Sequence, residues 1–322
     1  MNHGKLSRSL AKGLSVLRQR IDAAKIPSSK LDESLNLATW NIREFGRTSR
    51  WEESCHYIAE ILNQFDLIAV TELRANLKDL KTVLEILGPF WRVVYSDYNP
   101  DSPGNDERTA YVFDTRMVDF TGLAAEADPV RTKVDGKYIS EFTWWRSPYM
   151  ASFRAGNFDF VVLTSHIRFQ AVRDRIVPLK GLASWVADRA KDERHVDKDI
   201  IVVGDFNVPS RRSAAYTALT SEGLKLPAGL MSKEARTNVK RDKSFDQILH
   251  QATDPTRFTN RGGVLDFAKG GHMALFPGRK KFTHSAFTFQ LSDHLPLWIQ
   301  LDCDIDGQRL EQLLNAPVRV GG

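Results

Sequence analysis

The apolar positions of this chain fall into two alternating periods, one helical and one strand-like. Leu6, Leu10, Leu14, Leu17 and Ile21 recur at steps of four, four, three and four, the stripe of an amphipathic helix. Its other face carries Lys5, Arg8, Lys12, Arg18, Arg20 and Lys25, with Asp22 the only acid, and Pro27-Ser28-Ser29 closes the element. The stripe predicts a helix packed on the rest of the chain. A basic arm for a protein or nucleic-acid partner, and an Arg- and Ser-rich organellar leader, are the other readings of residues 1–30.

From Leu35 onward the two periods interleave. Strands are expected at 35–42, 67–70, 91–95, 109–113, 149–153, 158–164, 200–204, 245–249 and 295–301, and helices at 51–63, 76–88 and about 171–192. Ile200-Ile201-Val202-Val203 is a β-branched run, which reads as a strand buried on both faces. Several middle strands follow one another with no helix between them. That argues against a purely parallel doubly wound sheet and favours mixed sheets with helices outside. Residues 35–302 read as one main domain, and 303–322 as a short terminal helix and tail.

Composition changes this picture little. The 322 residues are 42% hydrophobic and 26% charged, with net charge +5, which permits an anionic partner without demanding one. Cys55 and Cys303 are too few and too far apart for a disulfide framework or a zinc site, and read as small buried hydrophobes of a reducing compartment. No apolar run approaches a membrane span and no secretory hydrophobic region opens the chain, so an intracellular, cytoplasmic address without a membrane partner is expected.

The chemistry sits where the apolar strands end. Asn41, Glu72, Glu107, His166, Asp205, Asn207, Asp246, Asp293 and His294 all flank such ends. Asp205 and Asn207, two apart, should point the same way, because strand side chains alternate. Carboxylates and amides are hard oxygen ligands for magnesium, manganese or calcium. The two histidines lack metal-ligand spacing, so proton transfer suits them better than zinc ligation. There is no GxSxG, Walker or GxGxxG motif. The inventory fits metal-assisted attack of water on a phosphate ester.

Taken in order, Thr39-Trp40-Asn41, Thr71-Glu72, Ser165-His166, Gly204-Asp205-Phe206-Asn207 and Ser292-Asp293-His294 resemble the endonuclease/exonuclease/phosphatase superfamily. The resemblance spans about Leu35 to Asp302. Asn41 to Gly46, Glu72-Leu73-Arg74, Glu107-Arg108 and Arg146-Ser147-Pro148 are similar to the deoxyribonuclease I branch in particular. The resemblance implies a four-layer α/β/β/α sandwich with the site at one end of two packed sheets.

It also implies roles. Glu72 and Asn41 would hold Mg2+ (or Mn2+ or Ca2+), with Asp205, Asn207 and Asp293 lining the other half and Asn207 touching phosphate. His294, oriented by Asp246, would activate water, and His166, oriented by Glu107, would protonate the leaving oxygen. Arg146 would clamp phosphate, with Arg43 and Arg74 facing substrate. Gly104-Asn105-Asp106 stands where that branch presents a tyrosine to the minor groove, and Ser244-Phe245-Asp246-Gln247 replaces the Trp-Cys-Asp-Arg of inositol polyphosphate 5-phosphatases.

Local charge narrows the substrate. Residues 206–243 hold Arg211, Arg212, Lys225, Lys233, Arg236, Lys240, Arg241 and Lys243 against Glu222, Glu234 and Asp242. Arg168, Arg173, Arg175 and Lys180 follow His166, and Arg279-Lys280-Lys281 lies in the last long loop. Basic loops around a phosphodiester site suit a polyanionic backbone bound mainly by charge. The expectation is a nuclease acting on DNA. The alternatives are a hydrolase of small or lipid phosphoesters and a non-catalytic nucleic-acid-binding member.

Overall fold

The computed structural model describes residues 1–98, 106–140, 142–195, 197–231 and 234–315. Gly104, Asn105, Lys233 and the tail beyond 315 lie outside the described residues.

One mixed sheet of six strands runs β12-β13-β1-β2-β4-β3. Its members are β1 (Ser34–Phe45), β2 (Leu67–Leu73), β3 (Trp91–Tyr95), β4 (Arg108–Asp114), β12 (Phe258–Val264) and β13 (Leu297–Asp302). A second sheet of five runs β11-β10-β9-β8-β5, from β5 (Asp119–Glu126), β8 (Tyr149–Ala155), β9 (Phe158–Thr164), β10 (Ile200–Asp205) and β11 (Asp246–Gln251). A separate hairpin pairs β6 (Arg131–Val134) with β7 (Lys137–Ser140).

Strand alternation builds three apolar layers. Leu35 and Leu37 of β1 point between the sheets, where they meet Phe153, Phe160, Ile201 and Val203. Trp40 and Ile42 of the same strand point outward, under α1 (Arg8–Ala23), α2 (Glu52–Leu62) and α3 (Lys78–Leu87). On the far side, Ile200 and Val202 pack under α4 (Val172–Lys191) and α5 (Ala214–Leu219). The strand β10 is therefore buried on both faces, and the architecture is the four-layer α/β/β/α sandwich. The Tyr111 hydroxyl pins the sheets together, donating from β4 to the carbonyls of Tyr149 (2.7 Å) and Val162 (2.8 Å).

The N-terminal stripe is spent inside the chain. Leu10, Leu14, Leu17 and Ile21 join the core, while Leu6 lies before the helix, which Ser7 caps. Gly13 sits so close to α2 that a β-carbon there would lie 1.8 Å from the Tyr57 hydroxyl. Arg18 pairs with Glu60. A protein partner reading α1 would find its polar face, since the apolar one is covered. Cys55 and Cys303 are free and buried, and burial pushes both thiols up to about 12. No helix among the described residues is long and apolar enough to cross a membrane.

Four strands run where the sequence pattern predicts none: β5, β6, β7 and β12. The first three lie largely in solvent, and β12 carries Arg261-Gly262-Gly263, so none shows a clean apolar period. The last turns before β13 form α6 (His284–Gln290), and α7 (Asp306–Asn315) follows it.

Candidate active site

The ends of β1, β2, β9, β10 and β11 open at one edge of the sandwich. Asn41 pairs with Thr71 across the parallel β1–β2 ladder, and beyond it both ladders of β2 slip register. Glu72 stands in that slip with φ +63°, a left-handed conformation uncommon for a non-glycine residue. Such irregularities re-aim a side chain out of the regular alternation. Glu72 is held there from two sides. Its Oε1 accepts from Asn41 Nδ2 at 2.9 Å, and its Oε2 from the Glu44 backbone at 2.8 Å.

Register also places the second pair of acids. Asp205 and Asp246 face each other across the antiparallel β10–β11 ladder. Asp246 Oδ2 accepts from His294 Nδ1 at 2.8 Å, and the Asp246 backbone N–H donates to Thr237 at 3.0 Å. Ser292 organises the other approach. Its hydroxyl donates to the Asn41 carbonyl (2.6 Å) and accepts from the backbone N–H groups of His294 (2.9 Å) and Arg43 (3.3 Å).

A second carboxylate–imidazole pair lies opposite. His166 Nδ1 donates to Glu107 Oε2 at 2.7 Å, Arg146 Nη2 donates to Oε1 of the same carboxylate at 3.2 Å, and Arg146 Nε lies 3.1 Å from Oε2 as an ion pair. Arg74 approaches Glu107 at 3.5 Å. Asp205 Oδ2 is the meeting point. It lies 3.6 Å from His166 Nε2, 3.7 Å from His294 Nε2, and accepts from Asn41 Nδ2 at 3.1 Å.

The electrostatics follow from this packing. Burial alone would raise Glu107, yet the His166 imidazole, Arg146 and Arg74 bring it down to about 2. Burial likewise opposes charge on both histidines. For His166 the Glu107 carboxylate and then Asp205 outweigh it and raise the pKa. For His294, Asp246 and Asp205 raise the pKa well above the ordinary imidazole value.

The donor set suits a hard cation. Ligand atoms of Glu72, Glu107 and His166, and separately of Asp205, Asp246 and His294, lie within 4.8 Å of one another. Asn41 Oδ1 and Asp246 Oδ1 are buried acceptors with no hydrogen-bond partner among the described residues. Buried acceptors of this kind call for a water or an ion, and carboxylate and amide oxygens favour magnesium-like or calcium-like cations.

Most sequence-predicted site residues converge here, with four differences. Asn207 lies beyond the strand with φ +51°, so the period of two does not orient it. Its amide instead donates to the Ile167 carbonyl at 2.7 Å. Arg43 donates to Thr288 of α6 at 2.6 Å, away from Glu72 and Asp205. Asp293 is half-buried beside His294 but belongs to neither ligand cluster. Several cations expected to ring the site are committed elsewhere. Arg175 is buried and donates to the carbonyls of Asn207 and Gln170, Arg211 to Leu230, and Arg279 pairs with Glu53 on α2.

Glu44 and Thr237 hold Glu72 and Asp246 in place, and neither stands out in the sequence as an individual site residue. Glu44 lies inside the Asn41–Gly46 motif, which offered a signal; Thr237 sits in a loop and offered none.

A two-sheet sandwich with two carboxylate–imidazole pairs meeting at one carboxylate defines a class of phosphoester-hydrolase architecture. Residues 38–294 match the model of the Endonuclease/Exonuclease/phosphatase family, and the chain belongs to that family. Its members are metal-dependent phosphoester hydrolases. An endonuclease/exonuclease/phosphatase family protein of Bacteroides thetaiotaomicron is similar in structure, with TM-score 0.59 and 18% identity over 85% of this chain and 99% of that one. A mannosyl-6-phosphatase of the same organism aligns with TM-score 0.57 and 17% identity, covering 83% and 99%. The human Nocturnin catalytic domain with bound sulfate aligns with TM-score 0.51 and 15% identity, covering 85% and 96%. No curated protein matches the chain in the sequence search.

Proposed function

We propose that the protein is a divalent-metal-dependent phosphodiesterase, a nuclease that hydrolyses the DNA backbone. The observation that carries this reading is the convergence of His166 Nε2 and His294 Nε2 on Asp205 Oδ2, each ring backed by its own carboxylate. Two imidazoles fixed in one tautomer, a few ångströms apart, can deliver one proton and accept another across a single phosphorus.

In this reading Asp246 holds His294 so that Nε2 takes the proton of the attacking water. Glu107 holds His166 so that Nε2 protonates the departing ester oxygen. Asn41, Glu72 and Asp205 would hold the cation, Mg2+ in the first instance, with Asp293 at the margin. Bound there, it would neutralise phosphate charge and offset the Asp205 carboxylate, which with Asp246 raises the His294 pKa. Asn207 lines the floor, Arg146 and Arg74 present cationic edges toward the phosphate, and Arg43 acts at most through the β1 end it braces. Intact carboxylate–imidazole pairs speak against a purely binding member of the family.

A second reading keeps the same chemistry on a small phosphoester. The internal commitment of Arg175, Arg211 and Arg279 favours it, since fewer cations remain for a long polyanion. The mannosyl-6-phosphatase among the structural neighbours points the same way. Cleavage of DNA in magnesium, as single-stranded oligomer or as supercoiled plasmid, abolished by EDTA, is the expected result. Intact plasmid, single-stranded oligomer and RNA alongside turnover of a phosphate monoester would replace the nuclease with the phosphatase.

A further inference from the structure

Around the candidate site the chain exposes two large aromatic rings where burial would be the ordinary outcome. Phe169, three residues after His166, is 70% exposed, and Trp145, next to Arg146, is 43% exposed. Both connect to the site's own residues. Phe169 packs edge-on against Phe245 (centroids 6.4 Å), and Phe245 lies against the His294 ring (5.8 Å). Trp145 immediately precedes Arg146, whose guanidinium pairs with Glu107.

Each ring has a guanidinium over it. Arg168 stands 4.0 Å from the Trp145 centroid, and Arg175 stands 4.9 Å from that of Phe169. Arg175 is itself fixed by the Asn207 and Gln170 carbonyls, so it braces Phe169 from the site's floor. Trp145 is held at φ +67°, a left-handed region that a bulky residue rarely adopts. The left-handed backbone keeps the Trp145 ring in solvent next to the arginine that pairs with Glu107.

We propose that Trp145 and Phe169 form a stacking subsite for unpaired bases flanking the scissile phosphodiester, so that the substrate is single-stranded or frayed nucleic acid. This rests on the nuclease reading and narrows it. A nucleobase offers a π-face to an exposed ring whatever its sequence, and a cation over the ring strengthens the stack. Bases inside a duplex have both faces covered by their neighbours, so only an unpaired base can take the place. Phosphate contacts then position the backbone while the rings select for strand state.

The test compares kcat/KM on a single-stranded oligothymidylate with that on an oligomer of equal length whose bases next to the cleavage point are replaced by abasic residues. Both carry the same charge. In the wild-type protein the based oligomer should be favoured by about 10-fold. That ratio should fall to about 1 in Trp145→Ala and Phe169→Ala, and be restored in Trp145→Phe. It is read within each protein, so partial misfolding does not imitate the effect. An equal ratio in wild type and variants, or a preference for blunt duplex, overturns the stacking subsite and leaves the nuclease standing. No cleavage of any oligomer, with monoester turnover intact, overturns both.

Discussion

A β-carbon on Gly204 would lie 2.2 Å from the Ser165 carbonyl oxygen. The two backbones touch where β10 and the end of β9 leave the sheet, one residue short of Asp205 and His166. With φ +130°, residue 204 also occupies a conformation that L side chains rarely adopt. Glycine here is what lets the Asp205 carboxylate come within 3.6 Å of His166 Nε2. Gly204→Ala should therefore cost at least about 3 kcal/mol through combined strain and clash. Urea unfolding measures that cost, and activity should be lost even where the variant is folded. A stable, active Gly204→Ala protein would show that the close approach is dispensable.

The two carboxylate–imidazole pairs predict a pattern of non-additivity. Asp246 acts through His294, so His294→Ala should lower kcat by about 10³-fold and Asp246→Asn by somewhat less. The double variant should be no worse than His294→Ala alone, because residues working as a unit do not sum. Additive losses would mean that Asp246 touches the reaction by another route. Circular dichroism should be unchanged in all three proteins.

Asn41 predicts a separable effect on the metal. Its amide joins Glu72 Oε1 to Asp205 Oδ2, so the two acids share one donor. Asn41→Ala removes that donor and leaves the carboxylates to repel each other. The magnesium concentration for half-maximal activity should rise about 10- to 100-fold, with much of the rate recovered at saturation. Calorimetric titration of the protein with the metal alone checks the same point without turnover. An unchanged metal requirement would remove Asn41 from the ligand set.

How far the sequence reveals this molecule depends on what each signal requires. The central strands are legible because burial on both faces demands unbroken apolar runs, as at Ile200–Val203. The strands β5 and β12 are hidden because one lies largely in solvent and the other bends through Gly262-Gly263. Strand-end acids and histidines are legible because a polar group at the end of a buried run has few structural excuses. The aim of Asn207 is not, since one left-handed residue cancels the alternation that would have given it. Nor are the commitments of Arg43 and Arg279, whose partners lie far away in sequence, or of Arg175, whose partners are backbone carbonyls. Charge can be counted from a sequence, whereas the place where it is spent is a property of the fold.

His250 makes stability depend on pH at the far end of β11. The ring stacks on Phe258 with centroids 3.7 Å apart, and Nδ1 is buried with no hydrogen-bond partner among the described residues. Burial, and then Lys225, lowers its pKa to about 4. An unfolded chain restores the ordinary value near 6.5. Between those two values the unfolded state binds a proton that the folded state refuses, so folding stability rises with pH across this window. The contribution is fully present above about pH 6.5 and is lost as the pH falls toward 4, up to about 3 kcal/mol in all. His250→Phe keeps a ring on Phe258 and removes the titration. Urea unfolding at a series of pH values between 4 and 7 should give a steep slope for the wild type and a shallower one for the variant. Parallel slopes would show that His250 takes up its proton without unfolding the protein.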